Sequence, residues 1–412
     1  MTNPNWNLPL DVLPSACDLL VVGAGPAGSA CALMLAQAGR QVVLVDAQAF
    51  PRDKVCGDGL VPDTHAALRR LGLLDAVLAQ AKVAGFAHCV APSGSAIDVP
   101  GALAVLPRRE LDAILCAAAV KAGALMAAPV LFTAPLRHAS GRITGALLSQ
   151  GGQTKAVAAR WVVLATGAAP AALLAAGVCE RRTPSSMALR AYVRHAGLAS
   201  GVNSLHFVWH AQLHGGYGWV FPGPDRTFNI GVGVMSTERE AADAHGKRPQ
   251  NLRNLFKAFV AVDPLARQLW QEGEHLGDLK GAPLRCDLDG ARWTHPGLLV
   301  AGDAVGATYS FTGEGIGKAM ETGIAAAECL IAGGDDPAIT NAYTARLHAL
   351  KPRFDMYRKA ASFNRHPWLL SLLVWRAKGS PRMIGRFADI LGERRMPGSL
   401  LSWRGVRALF RG

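Results

Sequence analysis

The chain has 412 residues, half of them hydrophobic and 18% charged, more than one core usually serves, so two or three interleaved domains are expected. Its formal charge is +13, yet fifteen Lys/Arg against three Asp/Glu, a net +12, fall between Arg346 and the end. A near-neutral body with a basic tail and no recognition module argues against nucleic acid as a partner.

Eight cysteines are scattered with no CxxC pair, so neither a zinc site nor a disulfide framework is suggested. No apolar run reaches the roughly 20 residues of a membrane-spanning helix. No Lys or Arg precedes Arg40, so the basic start of a secretory signal is lacking and a cytoplasmic protein is expected.

The first element organises the rest. An apolar strand, Leu19 to Val22, runs into Gly23-x-Gly25-x-x-Gly28, and an Ala/Leu-rich helix follows through Pro26 and Ala27. Gly23 makes the tight turn, Gly25 lets backbone approach a pyrophosphate, and Gly28 lets the helix pack closely on the sheet. The helix start offers free N–H groups to the phosphates. A second strand, Gln41 to Asp46, ends in an acid placed to hold a ribose hydroxyl. Together these predict a dinucleotide-binding domain.

A charged, glycine-bearing loop follows, Phe50-Pro-Arg-Asp-Lys-Val-Cys-Gly-Asp-Gly-Leu60, then a helix from Asp63 to Leu71. Residues 83 to 106 read as short strands, and Pro107-Arg-Arg-Glu opens another helix with acids in its first turn. Arg160-Trp-Val-Val-Leu-Ala-Thr-Gly-Ala168 reads as a buried parallel strand ending in a glycine turn. From about 185 to 285 aromatics and histidines alternate with small residues, as in an antiparallel sheet. Gly297-Leu-Leu-Val-Ala-Gly-Asp-Ala304 is a further buried strand, and Thr312-Gly-Glu-Gly-Ile-Gly317 opens a helix. The tail from about Thr340 is helical and basic.

His206, His210 and His214 recur every fourth residue. The β-rich surroundings predict a strand, on which positions four apart stand about 13 Å apart, too far to share a metal. No metal site is expected.

Four stretches together resemble the geranylgeranyl reductase family, flavoproteins with a p-hydroxybenzoate-hydroxylase-like fold. They are the N-terminal glycine turn, Lys54-Val-Cys-Gly-Asp-Gly59, Tyr217-Gly-Trp-Val-Phe-Pro222, and Gly302-Asp303 with Thr312-Gly-Glu-Gly-Ile316. They span residues 18 to about 335. Within the family, the Cys-Gly-Asp-Gly-Leu wording looks most similar to bacterial menaquinone reductases.

The resemblance implies an α/β fold: a Rossmann-like FAD-binding domain interleaved with an antiparallel β-sheet substrate domain, plus a C-terminal helical tail. The expected division is 1–82, 107–184 and 286–335 for FAD, 83–106 and 185–285 for the substrate sheet, and 336–412 for the tail. It implies FAD as cofactor and an isoprenoid quinone or lipid as substrate, with reduction of isolated C=C bonds as the reaction. A flavin monooxygenase on the same fold is the alternative. A halogenase fits less well, because the WxWxIP stretch of that group is absent and only Trp219 stands there.

The residues expected at FAD are the glycine turn with Asp46, then Arg52, Lys54 and Gly57 of the loop, and Arg109 or its neighbour Arg108. Thr166, Gly167, Gly302, Asp303, Gly313, Gly315 and Ile316 complete the set. Backbone amides from Gly313 to Ile316, at a helix start, suit negative charge on the reduced ring. Cys56 is expected at the reacting end, orienting substrate or delivering a proton. Tyr217 and Trp219, alternate residues of a strand, would line the cavity from one side.

Many relatives carry an acid in Gly-Ala-Asp-Gly after the third buried strand; this chain has Ala165-Thr166-Gly167-Ala168. That leaves NAD(P)H or another reductant open as electron donor. Trp368-Leu-Leu-Ser-Leu-Leu-Val-Trp375 with Arg382, Arg386, Arg394, Arg395, Trp403 and Arg407 suits peripheral contact with an anionic membrane. A helical lid with a solvated basic face is the alternative.

Overall fold

The computed structural model describes residues 6–235, 251–361 and 367–396. Five parallel strands form the centre of an eight-stranded sheet, in the order Leu298–Val300, Gln153–Leu164, Ala16–Val22, Val42–Val45, Leu125–Ala127. Strands covered on both faces read as continuous apolar runs, and here Leu19 to Val22 and Val42 to Val45 are all buried. The helix Pro26–Gln37 starts at the glycine turn and packs on Ile316–Ala332. Their approach is close: a Cβ on Gly323 would lie 2.1 Å from the Ala27 carbonyl oxygen.

Register positions the site. Val22 pairs with Leu164, and Leu164 with Val300. The turns after these three strands, at Gly23, Ala165 to Gly167 and Gly302, therefore meet at one sheet edge, where open α/β sheets bind their ligands.

A second, nine-stranded sheet stands against that edge. Its order is Glu274–His275, Ser186–Arg194, Thr227–Met235, Gly216–Pro222, Ser204–Val208, Lys82–Val90, Ala96–Val105, Gly59–Leu60, with Lys280–Leu284 added on Ser186–Arg194. All pairings are antiparallel except Ser204–Val208 with Lys82–Val90. Side chains alternate between its faces. Tyr217, Trp219 and Phe221 share one apolar cluster, while Val220, Ile230 and Val232 pack with Phe256 and Phe259 of the helix Leu252–Val262.

Two expectations are corrected. The segment read as one basic tail is divided: Tyr343, Leu347, Phe354 and Tyr357 of the helix Asp336–Ala360 are buried in the first core. Only the helices Pro367–Lys378 and Pro381–Leu391 stand apart, placing Val374, Ala377 and Met383 on the second sheet's aromatic cluster. Trp403 and Arg407 lie outside the described residues. The histidine strand is also shorter than expected. It ends at Val208, so His210 and His214 fall beyond it. His206 packs against His88 with tilted rings, centroids 4.6 Å apart, and its Nε2 lies 3.6 Å from Asp263, on the face away from the cleft.

Candidate active site

A cavity of about 520 Å³ lies between the two sheets. At its phosphate end stands the glycine turn. Gly23 has φ +101°, and a Cβ there would lie 2.3 Å from the Ala165 carbonyl oxygen. Gly28 does not reach the cavity; its Cβ would lie 1.8 Å from the Gly23 oxygen, so it serves packing. Gly25 differs, because a Cβ there would meet only the guanidinium tips of Arg52 and Arg108, at 3.6 and 3.7 Å.

The two guanidiniums are held by one wholly buried acid. Asp112 takes Nε and Nη2 of Arg108, both at 2.8 Å, and Nη1 of Arg52 at 3.0 Å. Burial alone would lower the Arg108 pKa, but Asp112 outweighs it and holds the side chain charged. Arg52 Nε also lies 3.4 Å from Asp46, so two carboxylates match the two cations, and what an anion meets here is the helix start with the guanidinium edges beside it. Arg109, the first choice by sequence, is exposed and outside the cavity; Pro107 sets the helix phase, which turns Arg108 inward. Asp46 reaches the cavity with its carboxylate engaged by backbone, accepting from Ala24 N–H at 2.8 Å and Gln48 N–H at 2.9 Å.

Further along, Thr166, Gly167, Gly302, Asp303, Gly313, Gly315 and Ile316 line the wall. The Thr166 hydroxyl is buried with no hydrogen-bond partner among the described residues, and Asp303 accepts from Thr308 Oγ1 at 2.8 Å. Pro26 and Ala27 also border the space, as do Lys54, Cys56 and Gly57 of the charged loop.

That loop lies flat on the aromatic strand. Cβ atoms on Gly57 and Gly59 would come within 3.1 and 3.3 Å of the Phe221 ring. Tyr217, Trp219, Phe221 and Phe207 make one wall, with successive ring centroids 5.0 to 6.3 Å apart. The Tyr217 hydroxyl donates to the Thr312 carbonyl at 2.5 Å, tying the wall to the loop before the helix Ile316–Ala332.

A buried network that sequence reasoning missed fixes this end. Asn229 donates to the Cys56 carbonyl and to Asp58 Oδ2, each at 2.7 Å, and accepts from Trp219 Nε1 at 2.9 Å. Tyr192 donates to the same Asp58 oxygen at 2.5 Å. Asp58 adopts a left-handed φ of 65° and is fully buried. Burial pushes its carboxyl up to about 6, against the pull of the Tyr192 and Asn229 hydrogen bonds. Burial, reinforced by Asp58, likewise lifts the Cys56 thiol, which is neutral at pH 7. Glu314 is a second omission. It lines the cavity between Gly313 and Gly315, and burial with Asp63 and Glu393 nearby lifts its carboxyl to about 8. The only sequence signals were position: Asp58 and Glu314 each sit between two glycines already singled out.

Comparison with known proteins agrees with this geometry. The model of the FAD binding domain family matches residues 16–351. A menaquinone reductase of Mycolicibacterium smegmatis is 34% identical over 328 residues, 77% of each chain. The chain belongs to the geranylgeranyl reductase family of FAD-binding proteins. Digeranylgeranylglycerophospholipid reductase 2 of Methanopyrus kandleri, 29% identical over 316 residues and 76% of each chain, is another relative. Among solved structures, a geranylgeranyl bacteriochlorophyll reductase-like protein of Thermoplasma acidophilum superposes with a TM-score of 0.71 over 96% of each chain at 22% identity, a likeness of fold.

FAD is the cofactor of this family member, and the chain is an FAD-dependent oxidoreductase. The residues present fit FAD. Paired guanidiniums face an open Gly25, a buried threonine hydroxyl wants a partner, and the cavity continues from the turn to the aromatic wall.

Proposed function

We propose that the protein reduces isolated carbon–carbon double bonds in the isoprenoid chain of a quinone or lipid. One observation carries this reading: the cavity that begins at the glycine turn ends on an aromatic wall of Tyr217, Trp219, Phe221 and Phe207 beside Cys56. The similarity to the Mycolicibacterium menaquinone reductase and the Methanopyrus digeranylgeranylglycerophospholipid reductase supports it.

Reduced FAD supplies two electrons and one hydrogen to an alkene carbon. The protein's part is to present the chain flat and dry. Stacked aromatic faces give an apolar surface with few groups for water to hold. Arg52 and Arg108, with the Gly25 turn, anchor the pyrophosphate. Backbone N–H groups from Gly313 to Ile316 face developing negative charge. Cys56 borders the reacting bond as an uncharged thiol, and Asn229 and Asp58 hold its loop in place. No carboxylate stands at Thr166 to Ala168, so a nicotinamide donor has no acidic partner at that turn.

No described helix is long and apolar enough to cross a membrane. We place the protein on the cytoplasmic face of the membrane, docked through Pro367–Lys378 and Pro381–Leu391. Trp368 and Trp375, each 64% exposed, stand seven residues apart on one helix face, with exposed Lys378 and Arg382 beside them. Tryptophan with cations suits an anionic interface. The same helices cover the sheet that carries the aromatic wall, which would bring a lipid substrate to the cavity.

The test is anaerobic. Protein reduced with dithionite is mixed with a geranylgeranyl ether lipid or with its fully saturated analogue. Flavin absorbance should return with the unsaturated lipid alone; equal return with both lipids would sink the proposal, and no return with either would restrict the substrate to a quinone.

A further inference from the structure

Alkene reduction needs a proton for the second carbon, and the cavity holds few groups able to give one. The Tyr217 phenol is tied to the Thr312 carbonyl, and burial raises it further above its ordinary value. Glu314 is placed differently. It lines the cavity with Cys56 and Tyr217, and among the described residues its carboxyl makes no hydrogen bond or ion pair. Behind it stand three acids grouped about Lys318. Lys318, 2% exposed, lies 2.6 Å from Glu321, 2.9 Å from Glu393 and 3.7 Å from Asp63. Among the described residues Arg353 pairs with Glu393, at 3.6 Å, and the Tyr309 hydroxyl donates to Glu393 at 2.8 Å. A fourth carboxylate charge beside this set is disfavoured, since like charges in a buried site resist ionisation together.

We propose that Glu314 is a catalytic residue, the acid that protonates the substrate alkene, and that the Lys318 cluster returns its proton from solvent. This rests on the reductase reading above. One alkene carbon receives two electrons and a hydrogen from the reduced cofactor, and the other receives the Glu314 proton. The π bond breaks, two C–H bonds form, and Glu314 is left as a carboxylate. Water then restores its proton through Glu321 and Glu393, whose side chains are 39% and 23% exposed. A protonated carboxyl at neutral pH follows from burial and from Asp63 and Glu393, which raise it to about 8 against Lys318.

Two readouts test this on the FAD-loaded protein. The first needs no substrate: infrared difference spectra across pH 6 to 10 should show a carboxylic acid band titrating near pH 8, absent from Glu314→Gln. No such band in the wild type overturns the proposal. The second is single-turnover product formation by prereduced protein. Wild type should slow as pH rises through about 8. Glu314→Gln should retain FAD, run roughly 10²- to 10⁴-fold slower and lose that pH dependence, while Glu314→Asp recovers part of the rate. Cys56→Ala should keep the pH dependence; if Cys56→Ala alone abolishes it, the proton comes from Cys56. A Glu314→Gln variant as fast as wild type overturns the role of Glu314 and leaves the reductase reading intact. A wild type that saturates no isoprenoid chain overturns both.

Discussion

Replacing Gly25 by alanine separates a glycine kept for the cofactor from one kept for the fold. Its backbone, φ −75° and ψ −172°, is open to any residue. The added methyl would touch only two guanidinium tips, in ordinary van der Waals contact at 3.6 and 3.7 Å. Alanine gains about 0.4–1 kcal/mol by restricting the unfolded chain and loses a similar roughly 0.5–1 kcal/mol as a poorer helix cap. The cofactor-free protein should therefore melt with a stability within about 1 kcal/mol of wild type. The same methyl sits between the arginines in front of the turn, where the pyrophosphate must come. Overpacking costs about 1–3 kcal/mol, roughly a fivefold to 150-fold rise in Kd, read by calorimetric titration with FAD. Gly28→Ala is the contrast, because its methyl would meet the Gly23 carbonyl at 1.8 Å and the fold itself should weaken. A Gly25→Ala protein that binds FAD as tightly as wild type would refute the reasoning.

Asn229→Ala should leave Trp219 Nε1 and the Cys56 carbonyl without their bonds. At about 1–3 kcal/mol for each buried group, the melting temperature should fall by several degrees, and an unchanged one would remove the network's importance. Asp63, whose Oδ2 makes no hydrogen bond among the described residues, is pushed up to about 6 by burial against the pull of Lys318. The folded state then binds that proton more tightly than the unfolded chain does, so charging it costs stability as pH rises from about 4 through about 6. Asp63→Asn should gain on wild type over that window by up to about 3 kcal/mol; melting curves that stay parallel at pH 4.5 and 7 would contradict this. Trp368→Ala with Trp375→Ala should weaken binding to phosphatidylserine liposomes by roughly tenfold or more, since each large apolar side chain contributes about 1.5–3 kcal/mol when buried. Equal sedimentation with the liposomes would end the membrane reading.

The cofactor sheet was legible because its signals are local. Leu19 to Val22 and Gly23-x-Gly25-x-x-Gly28 declare a buried strand and a phosphate turn within ten residues, and the second sheet followed from alternation around Tyr217 and Trp219. What stayed hidden depends on distance or phase. Asp58 takes its partners from Tyr192 and Asn229, 134 and 171 residues away, and nothing beside it in sequence announces a buried acid. Arg108 and Arg109 are one helical step apart, roughly 100°, so only the observed helix start tells which faces the cavity. The tail misled through its charge: Tyr343, Phe354 and Tyr357 anchor its first helix in the core, while the cations around them carry the count. Glu314 stands between two glycines with nothing local to announce a buried acid; Asp63 and Glu393 come beside it from distant segments.

The central claim is the fate of the double bond, and product mass reads it directly. Dithionite-reduced protein is incubated with a polyprenyl quinone, with and without oxygen, and the quinone ring is reoxidised before analysis so that only changes in the chain are counted. A gain of two hydrogens in the anaerobic sample is the predicted result. A chain of unchanged mass without oxygen would contradict the account, and a gain of one oxygen atom, seen only in air, would move the protein to the monooxygenases.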